Sequence, residues 1–118
     1  MFKEYRDFVS ARPWVKVNDP ELLYSAAAMT FEAGEAGDVI KKLVRGDKNV
    51  ESFSFVLEAG DMMYYLQKTL EKLGYTLEEV LFYNMQKLKY REKFGKEHNP
   101  SDILLWTVEE KEQIKLAI

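Results

Sequence analysis

The chain has 118 residues, 47% of them hydrophobic and 31% charged, a globular balance at the size of one domain. It has no cysteine and a single histidine, His98. That excludes disulfides, thiolate chemistry and, within one chain, any metal site needing two His ligands, the di-iron bundle with its paired Glu-x-x-His motifs included. Carboxylates are plentiful, 20 Asp and Glu against 17 Lys and Arg for a net charge of −3. Metal chemistry is thereby directed to oxygen-ligated Mg²⁺, Mn²⁺ or Ca²⁺, and nucleic acid is not an expected partner.

In chain order, a short helix is predicted over roughly Phe2 to Ser10, ended by Pro13. The first residues, Met1 to Asp7, lack the apolar core of a signal peptide. Asn18-Asp19-Pro20 opens a long helix, with an acceptor at the cap and proline in the first turn. Its apolar residues Leu22, Ala26, Met29, Ala33, Ala36, Ile40 and Leu43 step at helical spacing to Arg45, where Gly46 is a natural stop. A second long helix is predicted from about Val50 to Leu73, stopped by Gly74, with Val56, Ala59, Met63, Leu66, Leu70 and Leu73 as its seam. Thr76-Leu77-Glu78-Glu79 is a capping box opening a third, which carries Leu77, Leu81, Met85 and Leu88 and stops after Phe94 at Gly95.

Asn99-Pro100-Ser101 breaks the chain, and a last helix is expected near Val108 to Ala117 behind Thr107. The tail, with Leu104, Leu105 and Trp106, is too apolar to stay free and is expected to dock on the bundle or on another subunit. No tight-turn signal separates alternating apolar runs, so no strand hairpin is predicted. The longest uncharged run, Leu22 to Phe31, is half the roughly 20 residues a membrane-spanning helix needs. The expectation is a single all-α domain over residues 1–118, a helical bundle built on three long helices with short helices at either end, cytoplasmic and off the membrane.

One local pattern repeats. Glu32-Ala33-Gly34-Glu35 lies in the first long helix and Glu58-Ala59-Gly60-Asp61 in the second. Spacing of i,i+3 puts each pair on one helix face. The two pairs are also equidistant from the turn at Gly46 and Asp47, so in an antiparallel hairpin all four acids share one level. Held together they repel and raise one another's pKa unless a cation neutralises them. Mg²⁺ suits such oxygen ligands and commonly bridges carboxylates to substrate phosphates. Solvated acidic faces give the same i,i+3 spacing, but a plain surface does not account for Gly34, Gly37 and Gly60 inside helices, each costing about 1 kcal/mol relative to Ala. Close approach of a helix or a ligand would.

The stretches Phe31 to Asp38 and Leu57 to Leu66 resemble the ExxE…ExxD motifs of MazG-like nucleotide pyrophosphohydrolases, in the all-α NTP pyrophosphatase superfamily. Asn84, Lys87 and Arg91 are similar to the third motif of that family, N-x-x-K-x-x-x-R. The similarity covers roughly Glu21 to Phe94. The resemblance implies Mg²⁺-dependent cleavage of a nucleoside triphosphate between its α and β phosphates, with Mn²⁺ as a substitute ion. It implies that Glu32, Glu35, Glu58 and Asp61 hold the metal, and that Glu32 or Glu35 orients or deprotonates the attacking water. It also implies a homo-oligomer, dimer or tetramer.

Asn84, Lys87 and Arg91 step by three and four along one helix stripe, where Lys87 and Arg91 suit phosphate oxygens and Asn84 the sugar or base. Asp38 continues the acidic row, as a further ligand or as a solvated acid. Tyr64 and Tyr65 suit packing first and base stacking second. For Trp14 a hydrophobic contact is the first expectation and a place in a base pocket the second. The competing reading is a catalytically silent α-helical interaction module, which explains the apolar tail but not the matched acids.

Overall fold

The computed structural model describes residues 1–95. Every regular element among them is an α-helix: α1 (Phe2–Ser10), α2 (Pro20–Arg45), α3 (Phe53–Leu73) and α4 (Leu77–Phe94). The helix expected near Val108 to Ala117, with the apolar tail around it, lies outside the described residues.

The caps form as the residues dictate. Asp19 takes extended backbone and accepts from the Leu22 N–H at 3.0 Å, with Pro20 in the first turn. Gly46 and Gly74 both stand in the left-handed region, φ 83° and 79°. Each closes its helix with a paired C-terminal motif: Asp47 N–H donates to the Lys42 carbonyl, and Tyr75 N–H to that of Leu70, both at 3.0 Å. At α4 the Thr76 hydroxyl accepts from Glu79 N–H at 3.1 Å, and the Glu79 carboxylate accepts from Thr76 N–H at 3.2 Å. Against the expected start near Val50, α3 begins three residues later. Asn49 turns through φ 68°, and the helical hydrogen bonds set in only after it.

Helices α2 and α3 form an antiparallel hairpin, the one extensive helix–helix contact among the described residues. The three long helices expected are α2, α3 and α4, but among the described residues neither α4 nor α1 packs on the hairpin as α2 and α3 pack on each other. The seam also differs from the all-apolar one expected. On α2 it runs through Leu22, Ser25, Met29, Glu32, Ala36, Val39 and Leu43, all buried or half-buried, while Ala33 and Ile40 face out. These residues step 3, 4, 3, 4, 3, 4, a bundle seam with two polar members. On α3 the covered residues include Glu58, Met62, Tyr65, Thr69 and Leu70, while Val56 and Met63 are exposed. Relative to a face centred on Ala59, the contact is turned by about 60° towards Glu58.

Two polar contacts fix the hairpin register. The Thr69 hydroxyl donates to the Ser25 hydroxyl across the seam at 3.0 Å, and Ser25 donates onward to the Leu22 carbonyl. At the open end, Lys72 on α3 reaches the α2 cap residue Asp19 at 3.1 Å. The cap N–H from Leu22 and this ammonium both favour the ionised Asp19 and hold its pKa below the usual value. No helix among the described residues is long and apolar enough to cross a membrane.

Candidate metal centre

The register that pairs Ser25 with Thr69 brings Glu32 level with Glu58 and Asp61, two turns along. One carboxylate oxygen from each of these three residues lies within 4.8 Å of the other two. Glu32 and Glu58 are half-buried in the seam and Asp61 is exposed at its edge. Of the four acids expected at the metal, the structure thus gathers three. Glu35 is exposed and stands outside the close group, near enough for its charge to act on Glu32.

Glu32 reports the electrostatics. Loss of water around it is the leading cause that lifts its pKa above the ordinary value, and Asp61, Glu58 and Glu35 push the same way. No cation among the described residues offsets them. Two polar layers of one seam are therefore treated differently. Ser25 and Thr69 satisfy each other, whereas Glu32, Glu58 and Asp61 crowd oxygen lone pairs and negative charge into one place. Three hard oxygen donors without a basic partner, one of them partly desolvated, have the chemistry of a divalent cation site.

Asp38, the possible continuation of the acidic row, is occupied otherwise. Lys42 at 2.8 Å and Lys41 at 2.9 Å hold it and depress its pKa to about 2. It is a paired surface acid. The helical glycines have no neighbour to accommodate among the described residues: a Cβ at Gly34, Gly37 or Gly60 would meet nothing within 4 Å. Close packing of α2 on α3 is therefore not what keeps them free of side chains.

On α4, Asn84 is exposed while Lys87 and Arg91 are half-buried, and Arg91 carries a buried Nε–H without a hydrogen-bond acceptor. No hydrogen bond or ion pair among the described residues ties this stripe to the carboxylates. Tyr90 packs on Phe94, ring centres 4.7 Å apart. Trp14 is 97% exposed, and among the described residues it makes neither the hydrophobic contact nor the pocket wall expected of it.

Beside the carboxylates, between the start of α2 and the end of α3, lies an open groove of about 600 Å³. Tyr24, Tyr64, Tyr65, Lys68 and Lys72 line much of it. Tyr65 sits edge-on to both Tyr24 and Tyr64, with ring centres 6.2 and 5.1 Å apart. A hydrogen bond with Tyr24 is the main reason its phenol titrates above the ordinary value, and the Glu32 charge adds to the effect. Tyr24 and Lys68 were not singled out by motif. For Lys68 the signal lies in the spacing: Asp61, Tyr65, Lys68 and Lys72 step by four, three and four, one stripe of α3 leading away from the acids, whereas Tyr24 on α2 has no such signal. Compared with known proteins, the chain matches no family model, no curated protein and no solved structure.

Proposed function

We propose that the chain is a MazG-like, Mg²⁺-dependent nucleoside triphosphate pyrophosphohydrolase that releases a nucleoside monophosphate and pyrophosphate and serves nucleotide-pool housecleaning. The observation that carries the reading is the approach of Glu32, Glu58 and Asp61 to within 4.8 Å in a helix seam with no cation beside them. In this reading these three hold Mg²⁺, with Mn²⁺ as a substitute. Once bound, the ion supplies charge that polarises phosphoryl oxygens and makes a water more acidic. Glu35, at the rim and within electrostatic range of Glu32, orients or deprotonates the attacking water or completes the ligand set. Lys87 and the unpaired Nε–H of Arg91 donate to phosphate oxygens, and Asn84 to the sugar or base. Such chemistry needs positioning and charge neutralisation and no covalent nucleophile.

A homo-oligomer belongs to the same proposal. Phe2, Tyr5 and Phe8 on α1, Val56 and Met63 on α3, and Leu81, Met85 and Leu88 on α4 are all open to solvent. A second copy covering these faces would also bring α4, with its basic stripe, towards a carboxylate cluster.

The test is a panel of canonical NTPs and dNTPs with Mg²⁺, with the products resolved. Pyrophosphate with the matching monophosphate is expected, and Glu58→Gln should lower turnover about a thousandfold, the scale of several kcal/mol that a catalytic metal contributes. Orthophosphate in place of pyrophosphate refutes the assigned bond. Silence on the whole panel, in the presence of either ion, removes the enzyme reading and favours the interaction module.

A further inference from the structure

The tyrosine-lined groove starts where the carboxylates end. Tyr64 and Tyr65 follow Asp61 by one helical turn, and Lys68 follows by two, about 10 Å along the axis at 1.5 Å per residue. That is about the reach of a nucleoside from its 5′ phosphate. The groove walls offer aromatic surface that Tyr65 contacts only edge-on and that stays largely open: Tyr24 is 67% and Tyr64 57% exposed, although both stand on well-formed helices. Lys68 stands over the Tyr64 ring at 5.9 Å from its centre. Lys72 is already held by Asp19. The far rim is acidic, with Glu21 on α2 and Glu71 on α3. Glu71 accepts one long hydrogen bond from Gln67, at 3.3 Å, and its carboxylate keeps lone pairs to offer.

We infer that this groove receives the base of the nucleotide, stacked on Tyr64 and Tyr24, and that its carboxylate rim selects bases whose outer edge carries an amino group, N4 of cytosine or N6 of adenine, over uracil and thymine with their O4 carbonyl. The inference rests on the pyrophosphohydrolase reading above and adds to it a base class. A carboxylate accepts hydrogen bonds and cannot donate while ionised. An amino group on the outer base edge satisfies Glu71, while Glu21 already faces the Lys72 ammonium at 4.0 Å. The carbonyl that uracil and thymine carry at that edge sets oxygen against oxygen and leaves both without a donor. Stacking on a tyrosine face tolerates any base, so the tyrosines supply affinity and the rim supplies the choice.

The experiment measures pyrophosphate release from dCTP, dATP, dUTP and dTTP with Mg²⁺, for the full chain and for two variants at exposed positions, Tyr64→Ala and Glu71→Gln. KM for dCTP and dATP should lie about tenfold below that for dUTP and dTTP, a difference of about 1.4 kcal/mol. Tyr64→Ala should raise KM for all four more than it lowers kcat. Glu71→Gln should level the preference, because an amide both donates and accepts. Equal KM values for the four nucleotides overturn the inference while leaving the hydrolase standing, and so does a preference that neither substitution changes. If none of the four yields pyrophosphate, the hydrolase reading falls and the base subsite with it.

Discussion

Glu32 occupies a seam position between Met29 and Ala36 that a helical pair would ordinarily fill with an apolar side chain. Its raised pKa has a defined consequence for stability. A carboxyl that titrates higher when folded favours the fold while protonated, and that contribution fades as pH rises through its folded pKa. Asp38, Asp19 and Asp47 run in the opposite sense: their depressed pKa values support the fold above the ordinary carboxylate range and cease to do so as pH falls. Wild type and variant must therefore be compared at each pH. In metal-free protein, Glu32→Gln should raise Tm near pH 8, with the gain shrinking towards pH 4, measured by thermal unfolding monitored by circular dichroism. A gain that does not vary with pH contradicts the electrostatic account. Asp38→Asn is the matching control, since that acid is spent on Lys41 and Lys42. It should leave metal affinity and turnover within about twofold, as expected for exposed surface pairs.

At the scale of elements, the ends of the helices were legible in the sequence because caps are local chemistry. Asp19-Pro20, Gly46, Gly74 and the Thr76–Glu79 box each act within a few residues, and each forms. Gly46→Ala should cost about 1–2 kcal/mol by forcing a side chain into the left-handed region, read by urea denaturation. The seam was less legible. Taken alone, α2 favours the all-apolar row through Ala26, Ala33 and Ile40 over the row through Ser25, Glu32 and Val39, which has two polar members, yet the second row is the covered one. The choice is made across the hairpin, by Thr69 bonding Ser25 and Lys72 reaching Asp19. For the same reason the level of the acids was readable from their distance to the turn, while the separation of Glu35 from the close trio was not.

Gly60 carries a further prediction for α3. With nothing near its Cβ position in this chain, Gly60→Ala should stabilise the protein by about 1 kcal/mol. If a ligand or a second copy approaches that face, turnover or assembly should fall at the same time. A variant that is more stable and fully active would show that the glycine answers to neither.

At the scale of the molecule, the chain is open. Among the described residues only the α2–α3 hairpin builds a shared seam, and apolar residues of α1, α3 and α4 stay exposed. This arrangement was not readable from periodicity, which shows that a helix has an apolar face but not which partner covers it. Sedimentation at micromolar concentration should give a dimer or tetramer, and a monomer at that concentration would contradict the proposed assembly.

The central claim is that Glu32, Glu58 and Asp61 were brought together to hold a divalent cation, and it can be addressed before any substrate is known. Titration of Mn²⁺ into the full chain at pH 7.5, with free ion followed by electron paramagnetic resonance, measures it directly. The account predicts at least one stoichiometric site per chain, competed by Mg²⁺, weakened as pH falls towards 5 and lost in Glu58→Gln. Absence of stoichiometric binding in the wild type, or a site that survives Glu58→Gln unchanged, would contradict it.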